Sequence, residues 1–87
     1  MSDPKELPLE WFKQLQFKKL STAKNVAKPH WLDMSTSELY YRIYDELSEL
    51  HNELMKNDNP QERIDECVDI ANFAAMLAHK IKVESEL

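Results

Sequence analysis

Apolar residues in this chain recur at helical spacing in three stretches, separated by short polar breaks. Leu9 to Leu20 (LEWFKQLQFKKL) has that spacing, with lysines near its end, and predicts one modest helix. From Leu39 onward, Leu39, Ile43, Leu47, Leu50 and Leu54 form a stripe that Tyr40 and Tyr44 widen, which predicts a second helix to about Lys56. The third stretch, from Pro60 to roughly Val83, is apolar on most sides: Ile64, Cys67, Val68, Ile70, Ala71, Phe73, Ala74, Ala75, Met76, Leu77, Ala78 and Ile81 nearly surround its axis.

The breaks carry their own signals. Ser35-Thr36-Ser37-Glu38 fits a capping box, in which the serine oxygen takes a backbone N–H three residues on and the glutamate reaches back. Asn57-Asp58-Asn59-Pro60 reads as a polar turn with Asn59 as N-cap, Pro60 at the first helical position and Glu62 completing a second capping pattern. Residues 21–34 hold no sustained period and contain Pro29, so they read as a connector with room for a short helical turn.

With 87 residues there is room for one domain, taken as residues 1–87, in which 1–20 form a helical extension and 24–82 the core. The chain has no glycine, which excludes a P-loop, a dinucleotide fingerprint, a nucleophile elbow and an EF-hand turn. It also removes the usual residue of tight hairpins, so the expected fold class is all-α. Two short helices can hardly cover a third that is apolar nearly all round. The expectation is therefore a short helical bundle completed by homo-oligomerisation, as a homodimer or homotetramer.

The single cysteine, Cys67, cannot close an intrachain disulfide and reads as a small buried hydrophobe. No apolar run approaches the roughly 18 residues of a membrane span, and MSDPKELPLEWF carries acids and prolines where a secretory signal would be basic and then apolar. A cytoplasmic protein without a membrane partner is expected. Residues 1–34 carry six Lys/Arg and four Asp/Glu, whereas residues 35–87 carry five and twelve. That acidic half repels a phosphate backbone, so nucleic acid is not an expected partner.

Candidate chemistry lies in acids beside the apolar stripes. Glu46 and Glu49 stand three apart on the second helix, and Glu66 and Asp69 repeat that spacing on the third. Projected from Leu39, Glu46 lies at about 340° and Glu49 at about 280°, so Glu46 flanks the apolar stripe and Glu49 sits further round. Carboxylates close to apolar packing are costly unless something positive compensates them, and only Arg42, Lys56 and Arg63 are near in sequence. Facing carboxylate pairs from two antiparallel helices offer hard oxygen ligands that suit Mg2+, with Mn2+ as substitute. The same acids also make an ordinary solvated face, and on that reading the chain is a non-catalytic helical dimerisation or interaction module.

At these residues the sequence resembles the MazG-like all-α nucleotide pyrophosphohydrolases. Their pattern is ExxE on one helix and ExxD on the next, matched here by Glu46-Leu47-Ser48-Glu49 and, sixteen residues on, Glu66-Cys67-Val68-Asp69. The Asn-Phe and apolar run that follow (DECVDIANFAAMLAHKI), and the tryptophan-bearing connector upstream, are similar in layout. Asp45 departs from the pattern, standing where many relatives have a further glutamate. The resemblance implies an oligomeric helical bundle that hydrolyses nucleoside triphosphates to monophosphate and pyrophosphate with magnesium. It implies metal binding by Glu46, Glu49, Glu66 and Asp69, with Glu46 or Glu49 as the catalytic base. Asn72, after ExxD, is implied to contact the nucleotide or orient a carboxylate.

Other side chains have two readings each. Trp31 has the shape to stack on a base or sugar, but a tryptophan beside a proline in a helical connector more often plugs a core. Lys24, Lys28 and Lys80 read either as triphosphate contacts or as solvated charges, and Lys28 is the one taken, with Trp31 and Asn72, into the candidate substrate site. Met34, Met55 and Met76 read as packing residues. His30, His51 and His79 lack the paired spacing of a zinc site.

Overall fold

The computed structural model describes residues 6–22, 30–56 and 58–86. Among these the chain is helical and has no strand: α1 (Glu10–Leu20), a short 3-10 turn (Trp31–Asp33), α2 (Thr36–Lys56) and α3 (Pro60–Ser85).

The helix starts are set by local chemistry. Glu38 N–H donates to Ser35 Oγ at 3.1 Å and Ser35 N–H donates to Glu38 Oε1 at 3.4 Å, the reciprocal pair that the capping box requires. Asn59 Oδ1 accepts from Gln61 N–H at 3.0 Å and Glu62 N–H at 3.4 Å, while Pro60 takes the first position, where its missing N–H costs nothing. α1 is built less firmly. Leu9 supplies no side-chain cap, and no residue of α1 is buried.

α2 and α3 pack as an antiparallel hairpin across the short turn before Asn59, and Arg63 Nη2 ties its closed end by donating to Leu54 O at 3.3 Å. α1 lies along α3 with its least exposed residues, Phe12, Leu15, Gln16 and Lys19, forming one narrow stripe. The 3-10 turn rests on the far part of α3: Trp31 stacks on His30 (5.5 Å, 26°) and meets His79 (6.0 Å, 50°), and Lys80 Nζ donates to Leu32 O.

The core is small. Leu39 and Val68 are fully buried, and Asn72, 6% exposed, is the buried polar residue. Tyr40, Tyr44, Leu47 and Leu54, all on or beside the predicted stripe, are exposed. Two sequence expectations need correction. Cys67 is exposed rather than buried, and Met55 does not pack but stands 71% exposed. In both cases the physical reason is the same: one protomer has too few helices to cover the apolar circumference of its own long helices. Among the described residues no helix is long and apolar enough to cross a membrane. The sequence-predicted Lys28, like Lys24, lies outside the described residues.

Candidate metal centre

The hairpin brings the two acidic pairs face to face. Antiparallel packing about the turn at Asn59 sets Glu46, ten residues before the end of α2, opposite Glu66, six residues into α3. One ligand oxygen from each of Glu46, Glu66 and Asp69 lies within 4.8 Å of the other two. All three residues are half-buried, whereas Glu49 is exposed and joins the cluster from its rim through Glu46.

Like charges this close cannot all stay ionised at neutral pH without compensation. Burial is the largest influence on Glu46 and pushes its carboxyl from the ordinary 4.5 up to about 8, reinforced by proton sharing with Glu49 and Glu66 and by the charges of Glu49 and Asp69. Burial also raises Glu66, with the charges of Glu49 and Asp69 acting in the same direction and the hydrogen bond with Glu46 opposing them. Oε2 of Glu46 and Oε2 of Glu66 are shut off from solvent and meet no hydrogen-bond partner among the described residues. Buried carboxylate oxygens left in that condition call for a proton or a cation. Three hard oxygen donors, one from each residue, fit a divalent ion of the magnesium or manganese type.

Asn72 lies one turn beyond Asp69 on α3 and accepts a hydrogen bond from Gln16 Nε2 at 3.1 Å. Lys19 Nζ sits 3.3 Å from Asp69 Oδ1. Gln16 and Lys19 escape a reading of the sequence because Gln and Lys three apart on a helix look like a solvated face. The available signal is that their spacing repeats, in reverse order, the spacing of Asp69 and Asn72 on α3. A cation beside the cluster thus comes from α1, whereas the basic residues near the acids in sequence are Arg42, Lys56 and Arg63.

The structure does not bring Trp31 to the acids. It packs at His79, ten residues past Asp69 and so about 15 Å further along α3. Lys80 is engaged with Leu32 O and, at 3.8 Å, with Glu84. Two shallow hollows on the protomer surface, of about 290 Å3 beside Tyr40, Tyr41 and Leu77 and about 410 Å3 beside Tyr44, Leu47 and His51, do not include the carboxylates.

An uncharacterized protein of Archaeoglobus fulgidus is 35% identical to this chain over 68 residues, covering 78% of this chain and 71% of the relative. The chain is an all-helical protein with a carboxylate cluster held between two helices. It belongs to the same family as that archaeal protein. No protein-family model matches the sequence, and no solved structure matches it.

Proposed function

We propose that this chain is a magnesium-dependent nucleoside triphosphate pyrophosphohydrolase of MazG-like type, working as a homo-oligomer. The observation that carries this reading is the convergence of Glu46, Glu66 and Asp69 oxygens within 4.8 Å, two of the glutamate oxygens being buried without partners. Glu46, Glu66 and Asp69 would hold the ion, with Glu49 at the rim. When bound, magnesium would supply positive charge to offset that of the triphosphate and of the departing pyrophosphate.

The protein's own part follows from the acids. A glutamate whose carboxyl titrates near neutrality accepts a proton from a water molecule and later releases it, the property required of a general base. In the metal-free chain burial raises the Glu46 carboxyl to about 8, and an ion held by the cluster would favour its charged form and bring it back down. Glu49, exposed at the rim, is the carboxylate with room for a water molecule. Water adds at the α-phosphorus, the bond from α-phosphorus to bridging oxygen breaks, and pyrophosphate leaves with the bridging oxygen. Asn72, one helical turn from Asp69, is buried and accepts from Gln16, which suits a part in orienting the site rather than in meeting the nucleotide. The homo-oligomer is supported by the exposed row of Tyr40, Tyr44, Leu47 and Leu54 on α2.

The reading is tested by incubating the purified chain with ribo- and deoxyribonucleoside triphosphates, with and without Mg2+, and measuring pyrophosphate. The expected outcome is metal-dependent release from at least one nucleotide, reduced at least about 100-fold in Glu49→Ala and Asp69→Ala. Absence of release from every nucleotide would favour the non-catalytic module, whose supporting observation is the exposed α2 row alone. Unchanged turnover in both variants would reject the residue assignment.

A further inference from the structure

α1 makes two polar contacts with α3, and they share one register. Gln16 meets Asn72, and one turn further along α1 Lys19 meets Asp69, one turn back along α3. The two helices therefore run antiparallel over the site, and α1 delivers an ammonium to the edge of the carboxylate cluster. α1 fully buries no residue, and its half-buried stripe on α3 combines Phe12 and Leu15 with Gln16 and Lys19. The side chain of Lys19 keeps 34% of its surface exposed and that of Asp69 22%, so neither member of the pair is closed off from solvent.

Two cations cannot share Asp69 at this range without repelling each other. A lysine ammonium is a compact charge on a flexible four-carbon stem with three donors, and it can swing by a few ångströms without movement of its helix. Resting on the assignment of the cluster to magnesium above, we propose that Lys19 is a travelling counter-ion of the site. It neutralises Asp69 while the cluster holds no divalent ion, and it turns to the phosphate oxygens of the bound substrate or product once a divalent ion has taken Asp69. Lys19 thus opposes uptake of the metal alone and favours retention of a metal-bound polyphosphate. A lysine that merely pins α1 to the bundle would have neither effect, or would weaken both.

The test is calorimetric titration of the full chain, first with MnCl2 alone and then with inorganic pyrophosphate as its manganese complex, comparing wild type, Lys19→Met and Lys19→Arg. Circular dichroism confirms equal helix content before titration. Lys19→Met is expected to bind Mn2+ alone about two- to fivefold more tightly, and manganese pyrophosphate about two- to fivefold more weakly, with Lys19→Arg near wild type in both. Affinities that move in the same direction, or that do not move, overturn the role given to Lys19 while leaving the metal site standing. A wild-type chain that takes up no Mn2+ overturns the metal site itself, and this inference with it.

Discussion

Glu46 concentrates the electrostatic problem of the molecule. Its folded-state carboxyl is raised to about 8 from the ordinary 4.5, so between those values the folded chain holds a proton that the unfolded chain has lost. The contribution to stability is fully present below about pH 4.5 and is lost as pH climbs through about 8; Glu66, raised in the same direction, adds to the trend. Denaturation midpoints of the metal-free chain in urea with a chelator, followed across that window, are expected to fall as pH rises. Glu46→Gln, which keeps the shape and removes the ionisation, is expected to flatten most of the decline. A profile identical in wild type and variant would show that the carboxyls are not crowded in solution. Glu46 and its angular offset from the leucine stripe are readable from helical periodicity alone. Lys19 is not, because its partner lies fifty residues away and only the docking of α1 reveals it.

The helices divide by how local their determinants are. The starts of α2 and α3 are legible because Ser35 with Glu38, and Asn59 with Pro60, act within four residues of each other. The end of α3 at Ser85 lies slightly beyond the expected Val83, since no glycine or proline stops it, and Glu86 N–H still donates to Lys82 O at 3.1 Å. Asn59 also fixes where α3 begins relative to α2, and therefore which acids face each other. Asn59→Ala is expected to cost about 1 kcal/mol of stability in urea titration, through the loss of acceptors for Gln61 and Glu62 N–H. Asn59→Asp, which preserves an acceptor oxygen, is expected to restore most of that loss. Equal stability of the alanine variant and wild type would show that water replaces the cap at no cost.

The all-round apolar pattern of α3 is visible in the sequence as an excess of hydrophobic positions over covering helices. Which surface a partner covers is not visible there, because spacing alone does not distinguish a stripe packed within the protomer from one left outside it. Tyr40, Tyr44 and Leu47 are outside here, although they belong to the same periodic run as the buried Leu39. Sedimentation velocity is expected to give a dimer or tetramer for the wild-type chain. A Tyr44→Glu, Leu47→Glu double variant is expected to shift it towards monomer with its helix content retained. A monomeric wild type would leave the exposed row without a role in self-assembly.

The sulfhydryl of Cys67 faces outward on the helical turn that carries Glu66 and Asp69, and the chain has no second thiol to compete with it. A single maleimide fluorophore can therefore be placed next to the acids without any engineered substitution. A change in its emission on adding Mn2+ would report binding at that turn, and a change in its rate of attachment with protein concentration would report a neighbouring chain there.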